Sequence, residues 1–175
     1  MENILYTIVP ITLITIAFLT SYYKIIKNKN ANGKSSHSYI ISAFASLYVV
    51  LLTESNQVLY IYLGELILSI VGALLVVYFH IKTKYEYKEK KRDFIIPFIF
   101  SMFGILGISQ TIKSFKSRKR KSQVSVIAYL LFAISYCMAL INVETFYVAL
   151  PIIISTILCL YISIQTFLTN QKYLN

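Results

Sequence analysis

Glu65 is the residue of this chain best placed to do chemistry, because it is the only acidic residue in the long apolar run 58–81. If that run crosses a bilayer, an ionisable side chain inside it costs a few kcal/mol unless it faces a cavity or a partner. Such a group can take up and release a proton, or hold the cationic group of a solute. The alternative is a structural role near the interface, with hydrogen bonds to Tyr60, Tyr62 or water. We predict that Glu65 lines a path for a polar solute.

The residue types that enzymes use most do not converge in this sequence. His37 and His80 both lie near the ends of apolar runs in the first half of the chain. Cys137 and Cys159 lie inside apolar runs, where thiols behave as small hydrophobic groups. The sequence contains no metal-ligand spacing, no phosphate-binding glycine loop and no nucleophile motif. We therefore predict that the protein is not an enzyme and has no catalytic residue, metal or cofactor.

The composition indicates a membrane protein. Of the 175 residues, 57% are hydrophobic and 14% are charged, and the mean hydropathy is +0.67. About 20 apolar residues cross the hydrocarbon core as a helix, and the sequence has six runs that we predict to do so. These runs are 4–23, 39–53, 58–81, 94–112, 124–143 and 145–170. The expected fold is an all-α polytopic protein with six transmembrane helices, multi-pass in the cell membrane.

The six runs fall into two similar halves. The segments 34–38 (KSSHS) and 121–125 (KSQVS) each lie between two apolar runs, 87 positions apart by subtraction of 34 from 121. The same offset aligns Ile40 with Ile127 and Tyr60 with Tyr147. Repeated three-helix units of this kind are common in transporters. We predict one membrane domain with repeat one at 1–81, a short basic linker at 82–93 and repeat two at 94–175.

A family resemblance rests on the loop of the second repeat. Residues 109–116 (SQTIKSFK), followed by 121–125 and a helix, resemble the PQ-loop motif at the end of the first helix in SWEET-like three-helix bundles. The first repeat carries a weaker form in 22–28 (YYKIIKN) and 34–38. The Pro-Gln dipeptide is absent, and Ser109 stands where the Pro would be. The resemblance covers nearly the whole chain.

The resemblance implies two tandem three-helix bundles around a pseudo-twofold axis, with a solute site between them near the bilayer midplane. SWEET proteins join their bundles through an extra helix that makes the two parallel, and the linker 82–93 is too short and charged to supply it. Relatives move sugars, amino acids, vitamins or cystine. Sugar carriers of this group typically use Trp in the pocket, and this sequence has none. A small polar or zwitterionic solute is implied at least as well as a sugar.

Several polar residues inside the runs join Glu65 as candidates for the solute path. They are Gln110, in the motif, and the hydroxyl residues Ser21, Ser69, Ser135 and Ser155. Hydroxyl groups also hold spanning helices together, so packing is the open alternative for each serine. Pro151 and Gly107 are the candidate hinges, with a static kink as the alternative for Pro151.

The basic residues create a conflict over orientation. The net charge of +10 lies almost wholly in the loops 24–34, 82–92 and 113–121, which the positive-inside rule places together in the cytoplasm. We expect the third loop to contact anionic lipid head groups rather than nucleic acid. Its basic residues are Lys113, Lys116, Arg118, Lys119, Arg120 and Lys121.

Six full crossings would put the first and third basic loops on opposite sides. Either the second repeat is inverted against the charge bias, or 94–112 enters and returns on one side, or the chain inserts in both orientations. We favour a full crossing by 94–112, because inverted repeats are a recurrent basis of alternating access.

The function we predict is transport of a small polar solute, a sugar, amino acid or related metabolite, by alternating access between the two repeats, with a homo-oligomer possible. The alternative is a non-transporting membrane interaction protein, such as a receptor, chaperone or complex subunit, built from the same helical repeats. A carrier needs Glu65, Gln110 and some hydroxyl groups to converge on a wet midplane cavity. A scaffold buries them in separate helix contacts.

Overall fold

The computed structural model describes residues 2–27, 36–83, 91–106, 108, 111 and 125–171. These residues form helices joined by short turns, and no strand occurs among them, so the prediction of an all-α fold is confirmed. The helices are α1 (Glu2–Lys27), α2 (Ser36–Leu52), α3 (Asn56–Thr83), α4 (Lys91–Ser101), α5 (Val126–Leu140) and α6 (Phe146–Gln171).

Three helical stretches are long and apolar enough to cross a membrane: Thr7–Lys27, Asn56–Phe79 and Phe146–Gln171. The helices α2 and α5 are also apolar but have only 17 and 15 residues. At 1.5 Å per residue they are about 23–26 Å long, somewhat less than the ~30 Å hydrocarbon core. Large apolar side chains such as Leu51 and Leu74 point outward, as expected of helices that face lipid.

Contacts along the helices establish their directions. The hydroxyl of Ser135 on α5 donates to the carbonyl of Pro10 on α1, and the rings of Phe18 and Phe132 lie 5.1 Å apart, so α1 and α5 are antiparallel. The Tyr22 hydroxyl on α1 donates to the carbonyl of Leu68 on α3.

Further along the same two helices, Ile25 packs with Val76 and Phe79, so α1 and α3 are parallel. The turn 53–55 reverses the chain between α2 and α3, and the turn 141–145 reverses it between α5 and α6. Both turns therefore lie at one end of the bundle, which we call the turn face. The ends of α1, α3 and α6 lie at the opposite end, which we call the basic face because the basic loops adjoin it in sequence.

The fourth apolar run reverses direction inside the protein. Phe98 on α4 stacks edge-on against Phe44 on α2, and a Cβ at Gly104 would meet Tyr48 of α2 and Pro151 of α6. Thus α4 runs from the basic face toward the turn face. The chain then heads back, because Leu106 donates its N–H to the Ser155 hydroxyl, one turn further along α6 toward the basic face.

The expected crossing helix over 94–112 is therefore wrong: the helix ends at Ser101, and a turn at 102–104 follows. Gly104 has φ +74°, a left-handed conformation that glycine adopts without steric cost. As a result α2 and α5 run in the same direction, and so do α3 and α6, so the described parts of the two halves are parallel rather than inverted. Hydropathy measures the length of a run, and it does not register a reversal.

We expect Gly104→Ala to lower the free energy of unfolding by about 1–2 kcal/mol through backbone strain alone. The added Cβ would also lie 2.6 Å from Cδ1 of Tyr48 and 3.1 Å from Cβ of Pro151. Thermal unfolding of the detergent-purified chain measures the effect. Gly64→Ala is the control, because its Cβ would meet nothing within 4 Å and alanine favours the helix. Equal stability of the two variants would show that the reversal does not need glycine.

Candidate functional site

Glu65 lies about a third of the way along α3, roughly 14 Å from its start at the turn face. The side chain is only 1% exposed. Its Oε1 accepts a hydrogen bond of 2.6 Å from the hydroxyl of Tyr136 on α5. This contact links the first half of the chain to the second, across 71 positions.

Tyr62 completes the aromatic side of the site. Its ring stacks on that of Tyr136, with centroids 6.0 Å apart and ring planes 10° from parallel. The Tyr62 hydroxyl and Oε2 of Glu65 are both buried without a hydrogen-bond partner. Tyr136 is the described side chain in hydrogen-bond geometry with this carboxyl group, and Ser42 lies beside it. The described side chains therefore satisfy only part of the site in either protonation state.

Serine hydroxyls of α2 and α3 border the carboxyl group on another side. Ser69, one turn beyond Glu65 on α3, donates to the Ser42 hydroxyl at 3.1 Å. Ser42 in turn lies beside the Glu65 carboxyl group, and its own proton remains available for donation. Ser46, four residues further along α2, is fully buried and makes no hydrogen bond. Because α2 and α3 are antiparallel and Ser42 pairs with Ser69, Ser46 lies level with Glu65. The site thus contains one carboxyl group and several hydroxyl oxygens, all of them hard ligand atoms.

Apolar residues separate these oxygens from both faces of the bundle. Val58 and Ile61 lie on the turn-face side along α3, and Ile152 and Cys159 on α6 belong to the same buried cluster. Ile152 lies 87 positions after Glu65, at the offset of the predicted repeat, so the acid has no counterpart at that offset. The surrounding low dielectric strengthens any electrostatic interaction made by the carboxyl group.

A depression of about 460 Å³ opens on the turn face, between the two tight turns. It is lined by Glu54, Ser55, Asn56, Gln57, Ile141, Asn142, Val143 and Glu144. No lysine or arginine occurs in 53–57 or 141–145, so the depression carries two carboxylates and no basic side chain of its own.

The depression and the buried oxygens lie along the same side of α3. Gln57 lines the depression, and Ile61 and Glu65 follow at intervals of four residues, which places all three on one helix face. Eight residues of helix span about 12 Å. Ile141 and Asn142, in the turn that follows α5, also line the depression, and Tyr136 lies about one and a half turns before them on α5. A narrow apolar layer therefore separates the depression from Glu65.

The structure brings one predicted serine into the site and engages the other three elsewhere. Ser69 belongs to the Glu65 cluster. Ser21 forms a hydrogen bond with the Tyr39 hydroxyl at 2.9 Å, Ser135 donates to Pro10 and Leu131, and Ser155 binds Leu106 and Pro151. One bond of each serine joins two helices or holds the reversal, which is the packing role that we left open.

Some predicted residues are not tested by the structure. Gln110, Gly107 and the PQ-loop-like segment at 109–110 and 112–116 lie outside the described residues, and so do Lys113, Lys116, Arg118, Lys119, Arg120 and Lys121. Pro151 lies within α6, which continues as helix on both sides of it, and its carbonyl accepts from Ser155 four residues later. Its role as a hinge remains a prediction.

Sequence reasoning missed Tyr136 as the partner of Glu65, and considered Tyr62 only as an alternative partner. Tyr22, at the end of its apolar run, is likewise buried, between α1 and α3. One signal was available: Tyr136 lies near the middle of its run, where an interfacial anchor is not expected. The chain has 15 tyrosines, and several of them lie inside apolar runs, so this signal does not single out Tyr136.

Comparison of the chain with protein-family models, curated proteins and solved structures finds no match.

Proposed function

We propose that the protein is a multi-pass membrane carrier that moves a small polar solute by alternating access between two three-helix units. The observation that carries the proposal is the pairing of Glu65 with Tyr136. An acidic group at membrane depth is expensive to keep, and such groups mark substrate and ion pathways. Here it lies where the two halves meet, with an unpartnered oxygen and with serine hydroxyls beside it.

The order of the helices supports this proposal. The helix pair α2–α3 and the pair α5–α6 correspond under the 87-residue offset and run in the same directions, as parallel repeats do. The interrupted segment after α3 supplies the reversal that makes them parallel, which the linker 82–93 was too short to provide. In this arrangement all three basic loops adjoin one face, as the positive-inside rule requires. The chain would then cross the bilayer five times and enter it once more without a continuous helix.

The closed state of the site fits one step of a transport cycle. The side chains of Glu65, Tyr62 and Tyr136 are buried from both faces. Rocking of α5 against α3 would break the Tyr136–Glu65 hydrogen bond and expose the carboxyl group to one side. The non-transporting alternative has one observation in its favour, the polar depression on the turn face, which a partner protein could cover.

Uptake by proteoliposomes tests the carrier proposal. The purified full chain is reconstituted, and two radiolabelled probes are offered, a mixture of the standard amino acids and a mixture of hexoses. We expect saturable uptake of one probe above that of empty liposomes. Glu65→Gln should reduce it at least about tenfold, the effect of losing a charge-assisted interaction of about 1.5–3 kcal/mol.

Tyr60→Phe is the matched control for substitution on α3, because Tyr60 is 56% exposed on the outer surface. This variant should retain wild-type uptake. If proteoliposomes with the wild-type protein take up neither probe faster than empty liposomes, the result counts against the carrier and favours the interaction protein. Unchanged uptake by Glu65→Gln would remove Glu65 from the solute path.

A further inference from the structure

The Glu65 carboxyl group has no basic partner among the described side chains. Lys27 and Lys82 lie over the rings of Tyr23 and Tyr78 instead, 5.6 and 5.8 Å from the ring centroids. Both lysines are near the ends of their helices, at the basic face. A buried carboxylate without a counter-ion is unfavourable in a low-dielectric interior. The charge balance of this site therefore calls for one further positive charge.

The oxygens around Glu65 form a donor set suited to a hard cation. Oε2 of Glu65, the Tyr62 hydroxyl and the Ser46 hydroxyl are buried without a hydrogen-bond partner, and Ser42 lies beside the carboxyl group. Tyr62 and Glu65 are one turn apart on α3, as are Ser42 and Ser46 on α2, and the two helices pack against each other. Carboxylate and hydroxyl oxygens are the ligands that hard metal ions prefer.

We propose that these oxygens of α2 and α3 form a binding site for a monovalent metal cation, Na⁺, centred on Glu65 and reached from the depression on the turn face. One carboxylate balances one positive charge, whereas a divalent ion would leave a net charge in the apolar core. The role of the ion as the coupling ion of transport rests on the proposed function, but its binding does not.

The geometry favours a bare ion over an organic ammonium group. The rings of Tyr62 and Tyr136 are nearly parallel and stack on each other, so they do not enclose a solute between them. It also favours a metal ion over a proton. A proton on Oε2 could be shared with one of the neighbouring hydroxyl oxygens at most, whereas a cation would use the free acceptor sites of Oε2 and the Tyr62 and Ser46 oxygens together.

The route from the turn face has a suitable charge. Glu54 and Glu144 line the depression, and a cleft with one sign of charge raises the local concentration of counter-ions. The apolar layer at Val58 and Ile61 separates this reservoir from Glu65. Access to the site would require that layer to open.

Thermal unfolding in detergent tests the cation site in the full-length chain. In a Cys137→Ser background, the buried Cys159 reports unfolding by reacting with a thiol-specific dye. NaCl replaces choline chloride at constant ionic strength. We expect the unfolding midpoint to rise with the logarithm of the Na⁺ concentration above the apparent Kd, and to be about 3–6 °C higher at about ten times that Kd. The rise should be absent in Glu65→Gln, and Tyr62→Phe should need roughly three- to tenfold more Na⁺. Tyr60→Phe should respond as the wild type does.

Three results would overturn the cation site: the same midpoint in Na⁺ and in choline, a Na⁺ effect that persists in Glu65→Gln, or a midpoint that follows pH but not Na⁺. If Glu65→Gln does not fold, equilibrium binding of radioactive ²²Na⁺ to the wild type decides, with one ion per chain expected and none contradicting the site. A Na⁺ effect without solute uptake would refute the carrier and leave the site standing. Uptake that is indifferent to Na⁺ would leave the carrier standing and refute the role of the ion in coupling, while ²²Na⁺ binding would still decide the site itself.

Discussion

Cysteines placed at Glu54 and Glu144 are expected to react from the same side of the membrane, and cysteines at Lys27 and Gln171 from the other side. All four side chains are exposed at the ends of the bundle. The reason is the reversal at Gly104, which brings the turns 53–55 and 141–145 to one face. The positive-inside rule makes the Lys27 side cytoplasmic. A membrane-impermeant maleimide on intact cells makes the measurement, and the outcome is all or none at each site.

The labelling needs a chain without native thiols. Cys137 is exposed on the outer surface and Cys159 is buried. The background therefore carries Cys137→Ser and Cys159→Ala. That background must not label, and permeabilised cells must label at all four sites. Six full crossings require Glu54 and Glu144 to lie on opposite sides. Labelling in that pattern would refute the parallel arrangement of the two halves.

Tyr136→Phe is expected to destabilise the protein by about 0.6–3 kcal/mol, whereas Tyr62→Phe should leave stability nearly unchanged. The two rings stack on each other in the same buried cluster, so loss of a hydroxyl is the same chemical change in both. Only the Tyr136 hydroxyl makes a hydrogen bond, to Oε1 of Glu65. The unfolding midpoint of Tyr136→Phe should therefore fall, by about 2–4 °C per kcal/mol.

This comparison is made in choline chloride, so that Na⁺ does not contribute. Tyr60→Phe on the outer surface of α3 gives the baseline for a tyrosine hydroxyl outside the core. An equal loss of stability in Tyr62→Phe and Tyr136→Phe would mean that the bond between the two halves contributes nothing measurable. Combining Tyr136→Phe with Glu65→Gln in a double-mutant cycle measures the coupling energy between the two residues. This energy should be non-zero, because the residues are in contact.

The sequence located most helices well because transfer of apolar side chains from water determines where they lie. The predicted run 58–81 became α3 (Asn56–Thr83), and 145–170 became α6 (Phe146–Gln171). The predicted crossing over 94–112 was wrong for a physical reason. A segment that crosses the bilayer and a segment that reverses within the protein are equally apolar. The conflict over the positions of the three basic loops already indicated a problem with six crossings. The structure resembles the alternative in which 94–112 enters and returns on one side.

Glu65 was found from sequence alone, because an acidic group inside an apolar run is costly wherever the chain folds. The sequence therefore determined the environment that each segment prefers: which runs favour lipid, which loops favour the cytoplasm, and which polar group lies in an apolar run. Only the tertiary structure decided what that group touches. The Tyr136 hydroxyl reaches Glu65 because α5 packs near α3, and that packing depends on the reversal at Gly104, a backbone geometry that hydrophobicity does not encode.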